Sequence, residues 1–254
     1  MKFVLDQHAH LNSPIHRWDP RFKLIGFILL IFAFSFVSHL YLLPAMAAVT
    51  ITIFAISRIP ISFILARLRY PSFFLFIVVI MLPFISGSDV LFNIGILDVN
   101  KEGCEAALLI SVRFFCILTL GLILFSTAPL IISIKAMRSL GLPSILADMT
   151  LLTFRYLFEI GNYLHQMETA LRLRGFKARR FSRRGFNTLA WLGGSILVRT
   201  YERSEWIYKA MIIRGYGRDT KMAQVGFQAA TRDILALGLL VLLATGFVVV
   251  QVLT

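Results

Sequence analysis

The length of its apolar stretches constrains this chain more than any other feature. Residues 24–40, 42–56, 71–85, 106–125 and 234–252 run almost without charge, and about 17 to 25 apolar residues are what an α-helix needs to cross a bilayer. Inside hydrocarbon every peptide group must find its partner within the protein, which a helix provides on its own. The stretches therefore predict an all-α membrane protein with about five transmembrane helices, the second and third of them short. Composition agrees: 58% of the 254 residues are apolar, 23 are Phe and only 15% are charged, with a mean hydropathy of +0.79. A water-soluble core needs more polar residues to cover it, so lipid is the solvent for much of the surface.

Lys and Arg are retained on the cytoplasmic side of short loops, which orients the spans. Lys2, Arg17, Arg21 and Lys23 precede the first stretch, Arg58, Arg67 and Arg69 link the second to the third, and residues 126–232 hold seventeen more. The links after the first and third stretches contain only Lys101, and the terminal "QVLT" contains none. The pattern predicts a cytoplasmic N-terminal segment (1–23), a four-span region (24–125), a cytoplasmic region (126–232) and a last span (233–254) that ends outside. The opening "MKFVLDQHAHLNSP" has only a short apolar run before polar residues, so no cleavable signal is expected. Arg113 falls inside the fourth stretch, where an arginine at the bilayer centre costs roughly 2.5 to 3.5 kcal/mol. It is expected to play a structural role, facing other helices or reaching the headgroups. Cys104 and Cys116 lack the number and spacing of a disulfide framework or metal knuckle, and are expected as thiols packed in apolar surroundings.

The net charge of +13 sits mostly in the cytoplasmic region, which carries helical patterning. "APLIISIKAMRSLGLPS" reads as a short amphipathic helix stopped by Gly141 and Pro143. A long helix begins near Pro143, and Ile145, Met149, Leu152, Tyr156, Ile160, Tyr163, Met167 and Leu171 lay an apolar stripe along it. A second long helix is expected from about Asn187 to Arg214, with Glu205 and Lys209 as an i,i+4 pair. Both end alike, in "ALRLRGF" and "AMIIRGY". With Gly175 and Gly215 as left-handed residues past the helix ends, Phe176 falls back toward Leu171 and Tyr216 toward Met211. Arg174 and Arg214 suit the negative end of the helix dipole. Ala170 and Ala210, one turn earlier on the same face, leave room for another surface to approach while the guanidinium fork reaches a carboxylate. Two equivalent tips suggest a partner with two equivalent grooves.

No nucleotide loop, metalloprotease, hydrolase or dinucleotide motif is present. His8, His10 and His16, with Asp6 nearby, lack the further partners of a metal site. Asp148 and Glu159 stand three turns apart, too far for a catalytic carboxylate pair. The chain is expected to be no enzyme and to hold no metal or cofactor. The basic run from Arg172 to Arg184, with Lys177, Arg179, Arg180 and Arg183 between Phe176, Phe181 and Phe186, fits a loop lying on anionic headgroups better than a nucleic-acid site. On residues alone two other functions stay open. One is a self-sufficient permease or channel, motivated by Arg113 and the polar outer loop; the other is a membrane anchor for an anionic partner.

Taken together, these motifs resemble the transmembrane (T) component of energy-coupling factor transporters, ABC-type importers of trace metals and vitamins. "HRWDPRFKL" is similar to the family's Asp-Pro-Arg-x-Lys start of the first span, on Asp19, Pro20, Arg21 and Lys23. "SLGLP" resembles its Leu-Gly-x-Pro turn, on Gly141 and Pro143. The two tips resemble its paired Ala-Arg-Gly signatures, with Arg174–Gly175 and Arg214–Gly215 as matched cores; Leu173 and Ile213 stand where alanine is usual. The resemblance implies a non-catalytic subunit of a bacterial plasma membrane, joining two cytoplasmic ATPases to a separate solute-binding membrane subunit. Arg174 and Arg214 would dock into grooves of the ATPases. The N-terminal region looks most like the cobalt-type branch, CbiQ, which implies cobalt or nickel as solute.

Overall fold

A computed structural model of the chain describes residues 13–16, 18–85, 90–94, 97–176, 183–216 and 231–253. The expected histidines His8 and His10 lie outside these residues, as does the centre of the basic run, 177–182. The chain divides into two compact units, Gly141–Gly226 and a larger one made of Lys2–Leu140 with Phe227–Thr254.

The larger unit is a helical bundle built around α1 (Pro20–Phe36). Asp19 caps its N-terminus, accepting from the Arg21 N–H at 3.0 Å, and Pro20 takes the first helical position, where no N–H is needed. Phe27, Leu30 and Phe34 of α1 are fully buried, together with Met46 of α2 (Leu43–Ser57) and Leu120 and Ile123 of α4 (Lys101–Ser126). α3 (Ile61–Ile85) packs on α4, and α5 (Leu130–Ser139) packs on α1 through a unit core that includes Ala136. The sequence pattern places α5 at the head of the cytoplasmic region; in space it clusters with the bundle. Large apolar side chains such as Phe32, Phe73, Phe74 and Phe76 remain exposed, the mark of helices whose outer surface is solvated by lipid.

α1 and α8 (Thr231–Leu253) run parallel. Trp18 Nε1 donates to the Asp233 carbonyl at 3.2 Å, Gly26 faces Leu240, Phe34 meets Phe247 edge-on at 5.1 Å, and the Ser38 N–H donates to Gln251 Oε1 at 2.9 Å. Residue numbers rise together on both helices, so both N-termini lie on one side of the bundle. Gly26 is required by this approach: a Cβ built there would stand 2.8 Å from Leu240 Cδ1.

Among the described residues, four stretches are long and apolar enough to cross a bilayer: Leu40–Ser57, Ile61–Leu82, Glu102–Ser126 and Thr231–Leu253. The fifth expected span, α1, has 17 residues, about 26 Å of helix, and carries Arg21 and Lys23 in its first turn. The third span starts at Ile61, ten residues before the expected 71. Pro71 reads as a boundary, yet a proline removes a single helical N–H bond, and apolar surroundings hold the remaining ladder together. Arg67 and Arg69 thus belong to α3 instead of the preceding link, and the Arg67 guanidinium lies 4.5 Å from the Phe63 ring centre. Between α3 and α4, β1 (Val90–Ile94) and β2 (Leu97–Asn100) pair antiparallel, Val90 opposite Asn100 and Ile94 opposite Leu97. The sequence pattern does not predict these strands, since so short a link carries no apolar period long enough to read.

Arg113 has a structural task. One of its terminal nitrogens donates to the carbonyls of Ser35 at 3.1 Å and Val37 at 3.2 Å, covering orphan acceptors at the end of α1. Cys116 is buried as expected; Cys104, in the first turn of α4, is exposed. The face decides this, because Gly103 and Ala107 on the same turns are buried while Cys104 is not.

Candidate functional site

The smaller unit consists of two long helices, α6 (Ser144–Leu173) and α7 (Arg183–Ile213). Gly141 adopts a positive φ of 114°, and Pro143 takes the cap position of α6, its carbonyl accepting from the Ala147 N–H at 3.2 Å. The glycine and proline of "SLGLP" therefore stop one helix and start the next. α7 begins four residues earlier than Asn187, where Arg183 and Arg184 continue the helix into the basic run.

Both helices end in the same closed turn. At the end of α6, Arg174 N–H bonds Ala170 O at 3.2 Å, Gly175 N–H bonds Arg172 O at 3.0 Å and Phe176 N–H bonds Leu171 O at 3.0 Å, with Gly175 at φ 82°. At the end of α7, Arg214 bonds Ala210 at 3.2 Å, Gly215 bonds Ile212 at 2.9 Å and Tyr216 bonds Met211 at 2.9 Å, with Gly215 at φ 80°. These are two complete Schellman closures, which satisfy the last carbonyls and need a left-handed residue at the glycine. Ala170, Arg174, Ala210 and Arg214 are all exposed. Among the described residues neither the Arg174 nor the Arg214 guanidinium has a hydrogen-bond or ion-pair partner. Each tip thus presents an uncommitted guanidinium on a rigid, self-capped helix end, suited to bidentate pairing with a carboxylate.

The two tips sit at opposite ends of the helix pair. Tyr216 Oη donates to Asp148 Oδ2 at 3.3 Å, Arg203 pairs with Glu159 at 3.0 Å, and the Arg199 guanidinium lies 4.3 Å from the Tyr163 ring centre. As α6 rises from 148 to 163, its contacts on α7 descend from 216 to 199, so the helices run antiparallel. Arg214 therefore stands by the start of α6, and Arg174 lies about 40 Å further along it, at 1.5 Å per residue. Six residues of the predicted stripe, Met149, Leu152, Tyr156, Ile160, Tyr163 and Met167, line a groove of about 750 Å³ between the helices. Ile145, at the stripe's start, stays exposed. The Glu205–Lys209 pair forms at 3.7 Å on the exposed surface, where such pairs contribute only a few tenths of a kcal/mol.

The Asp-Pro-Arg-x-Lys motif is a local fastening in the membrane unit. Besides the Asp19 cap, Lys23 is 1% exposed and its Nζ donates to the Ile15 carbonyl at 3.4 Å. Ile15 lies in a turn closed by His16 N–H to Ser13 O at 3.0 Å and by a 2.6 Å hydrogen bond between Ser13 Oγ and His16 Nδ1. The motif thereby holds the segment before α1 against the helix. Among the described residues no group of three His, Cys, Asp or Glu side chains is placed to hold a metal. What the sequence reading missed are the ties across the helix pair, Glu159 with Arg203 and Tyr163 with Arg199; the spacing within either helix does not signal them, because the partners stand on different helices.

Comparison with known proteins bears on the same residues. Energy-coupling factor transporter transmembrane proteins EcfT are similar to this chain: that of Streptococcus equi subsp. equi is 31% identical over 134 residues, 52% of this chain and 50% of that protein. The chain thus spans half the length of that relative. The protein of the same name from Exiguobacterium sibiricum is 27% identical over 268 residues, covering 96% of this chain and 99% of its own. That from Bacillus subtilis is 24% identical over 225 residues, 84% of each chain. Residues 11–224, from the segment before α1 to beyond the second tip, match the CbiQ family, described as cobalt transport protein. The chain belongs to the CbiQ family of energy-coupling factor transporter transmembrane components.

Proposed function

We propose that this chain is the coupling subunit of an energy-coupling factor importer, joining two cytoplasmic ATP-binding-cassette ATPases to a separate solute-binding membrane subunit. The observation that carries the reading is the duplication of the tip: two helices end in the same hydrogen-bond closure, each with an exposed arginine whose guanidinium is uncommitted among the described residues. Two like plugs fit two like sockets, as a dimeric motor offers. Arg174 and Arg214 dock into the two ATPases, with Ala170 and Ala210 leaving room beside each guanidinium and Gly175 and Gly215 closing the turn. Closure of the ATPase pair then displaces the antiparallel rods, which is the differential contact that coupling between sites needs.

The N-terminus and the 126–232 region lie in the cytoplasm and the C-terminus outside, in a bacterial plasma membrane. The parallel course of α1 and α8 supports this, because a first and a last span of five must cross in the same direction. The solute is cobalt or nickel ion, in keeping with the description of the family. A permease acting alone is less well supported, since Arg113, its chief motive, is engaged as a helix cap. The test is Arg174→Ala with Arg214→Ala in the full chain, coexpressed with its ATPases. The double variant should remain in the membrane and lose copurification of the ATPase pair; an unchanged complex with unchanged cobalt(II) uptake refutes the reading.

A further inference from the structure

The helix pair is tied by a cluster that uses one spacing twice. Glu159 and Tyr163 stand one turn apart on α6, and Arg199 and Arg203 one turn apart on α7. Glu159 Oε1 accepts from Arg203 at 3.0 Å and from the Tyr163 hydroxyl at 3.3 Å, while Arg199 lies over the Tyr163 ring at 4.3 Å. Each arginine meets a different member of the α6 pair, and the Tyr163–Glu159 bond closes the square. A single contact would leave the helices free to swivel; two contacts one turn apart fix both slide and rotation. Met149 and Trp206 on the walls of the groove stay exposed, and the Tyr216–Asp148 hydrogen bond is a further tie nearer the start of α6.

The position of the cluster gives it leverage. Arg174 lies 15 residues beyond Glu159 and Arg214 lies 11 beyond Arg203, about 22 Å and 16 Å of helix. A change of about 10° in the crossing angle therefore moves the α6 tip by roughly 4 Å, enough to misplace a guanidinium fork whose hydrogen bonds tolerate a few tenths of an ångström.

We propose that Glu159, Tyr163, Arg199 and Arg203 are positioning residues that set the separation of the two Arg-Gly tips, so that displacement of one tip is delivered to the other. The proposal rests on the docking of Arg174 and Arg214 argued above. It is tested on the full chain carrying spin labels at Glu168→Cys and Ile212→Cys, with Cys104→Ser and Cys116→Ala removing the native thiols. The label pair should give one narrow distance population, which Glu159→Ala broadens or shifts by about 4 Å, the lever-arm figure above. With its ATPases and solute-binding subunit, Glu159→Ala should retain copurification and ATP hydrolysis while cobalt(II) uptake per ATP falls about fivefold or more, the lower end of ordinary coupling between sites. The charge exchange Glu159→Arg with Arg203→Glu should restore both the distance and the uptake per ATP. Should Glu159→Ala fail to accumulate in the membrane, Arg203→Ala, which removes the same tie from the more exposed side of the pair, carries the same expectations. An unchanged label distance, or unchanged uptake per ATP, overturns the proposal. The distance measurement needs no partner, so its failure is separate from that of the docking reading, which falls only if the Arg174→Ala, Arg214→Ala chain keeps its ATPases.

Discussion

Replacing Gly175 and Gly215 by alanine strains the two tips and nothing else. Both residues sit in the left-handed region, at φ 82° and 80°, and nothing lies within 4 Å of a Cβ built at either. Steric collision with neighbours contributes nothing; the whole cost is the backbone penalty of an L-residue in that conformation, about 1 to 2 kcal/mol per site. Relief comes from opening the closure, which releases the Gly175–Arg172 and Phe176–Leu171 bonds, or their counterparts at Gly215, and lets the last turn with its arginine fray. A cost of that size shifts the closed fraction by about 5- to 30-fold. If the ATPase groove reads the closed tip, affinity falls by a comparable factor for each single variant. The assay is titration of the purified full chain in detergent with its ATPase pair, alongside thermal unfolding, which should stay near the wild-type value because neither glycine touches the bundle core. Gly175→Asn and Gly215→Asn serve as controls, since asparagine tolerates the left-handed region, and should lose far less. Equal affinities for the wild-type, alanine and asparagine chains would refute the argument that a rigid, closed tip is what the partner binds.

Other expectations can be read from thermal unfolding in detergent. Arg113→Leu strips the Ser35 and Val37 carbonyls of a charged donor and should lower stability by about 2 kcal/mol or more; an unchanged melting temperature would show that those carbonyls find other partners. Gly26→Leu forces a side chain into the 2.8 Å approach to Leu240 and should cost about 1 to 3 kcal/mol as overpacking does. Gly161→Ala, with open space around its Cβ on α6, should instead stabilise by about 0.5 to 1 kcal/mol. Lys23→Met exchanges a buried ammonium holding one 3.4 Å hydrogen bond for an apolar chain of similar length, and the melting temperature should hold or rise. A clear fall would mean that the Ile15 contact is worth more than the cost of burying the charge.

Some of this architecture is legible from residues taken a few at a time. The apolar stretches place most of the membrane helices because the bilayer enforces helix wherever it excludes water. The tips are legible because a Schellman closure is local: Gly175 and Gly215 need only their own turn to adopt it. The start of α3 is hidden by Pro71, whose local meaning as a boundary is overruled by the apolar helix continuing on both sides. The Glu159, Tyr163, Arg199 and Arg203 cluster is illegible for a different reason. Its members are paired by how α6 meets α7, a contact across more than thirty residues that no spacing within one helix encodes. The exposure of Cys104 is illegible because burial along α4 depends on which face meets a neighbour, and in its turn that face carries Gly103.

The central claim is that the two tips engage two ATPase subunits at once. The direct measurement places a photo-crosslinking phenylalanine at Leu173 and at Ile213, which are 86% and 85% exposed beside the two arginines, in the same full chain within its complex. Illumination should yield a product containing one copy of this chain joined to two ATPase subunits, one through each tip. Adducts that never carry more than one ATPase, or crosslinks only to lipid, would contradict it.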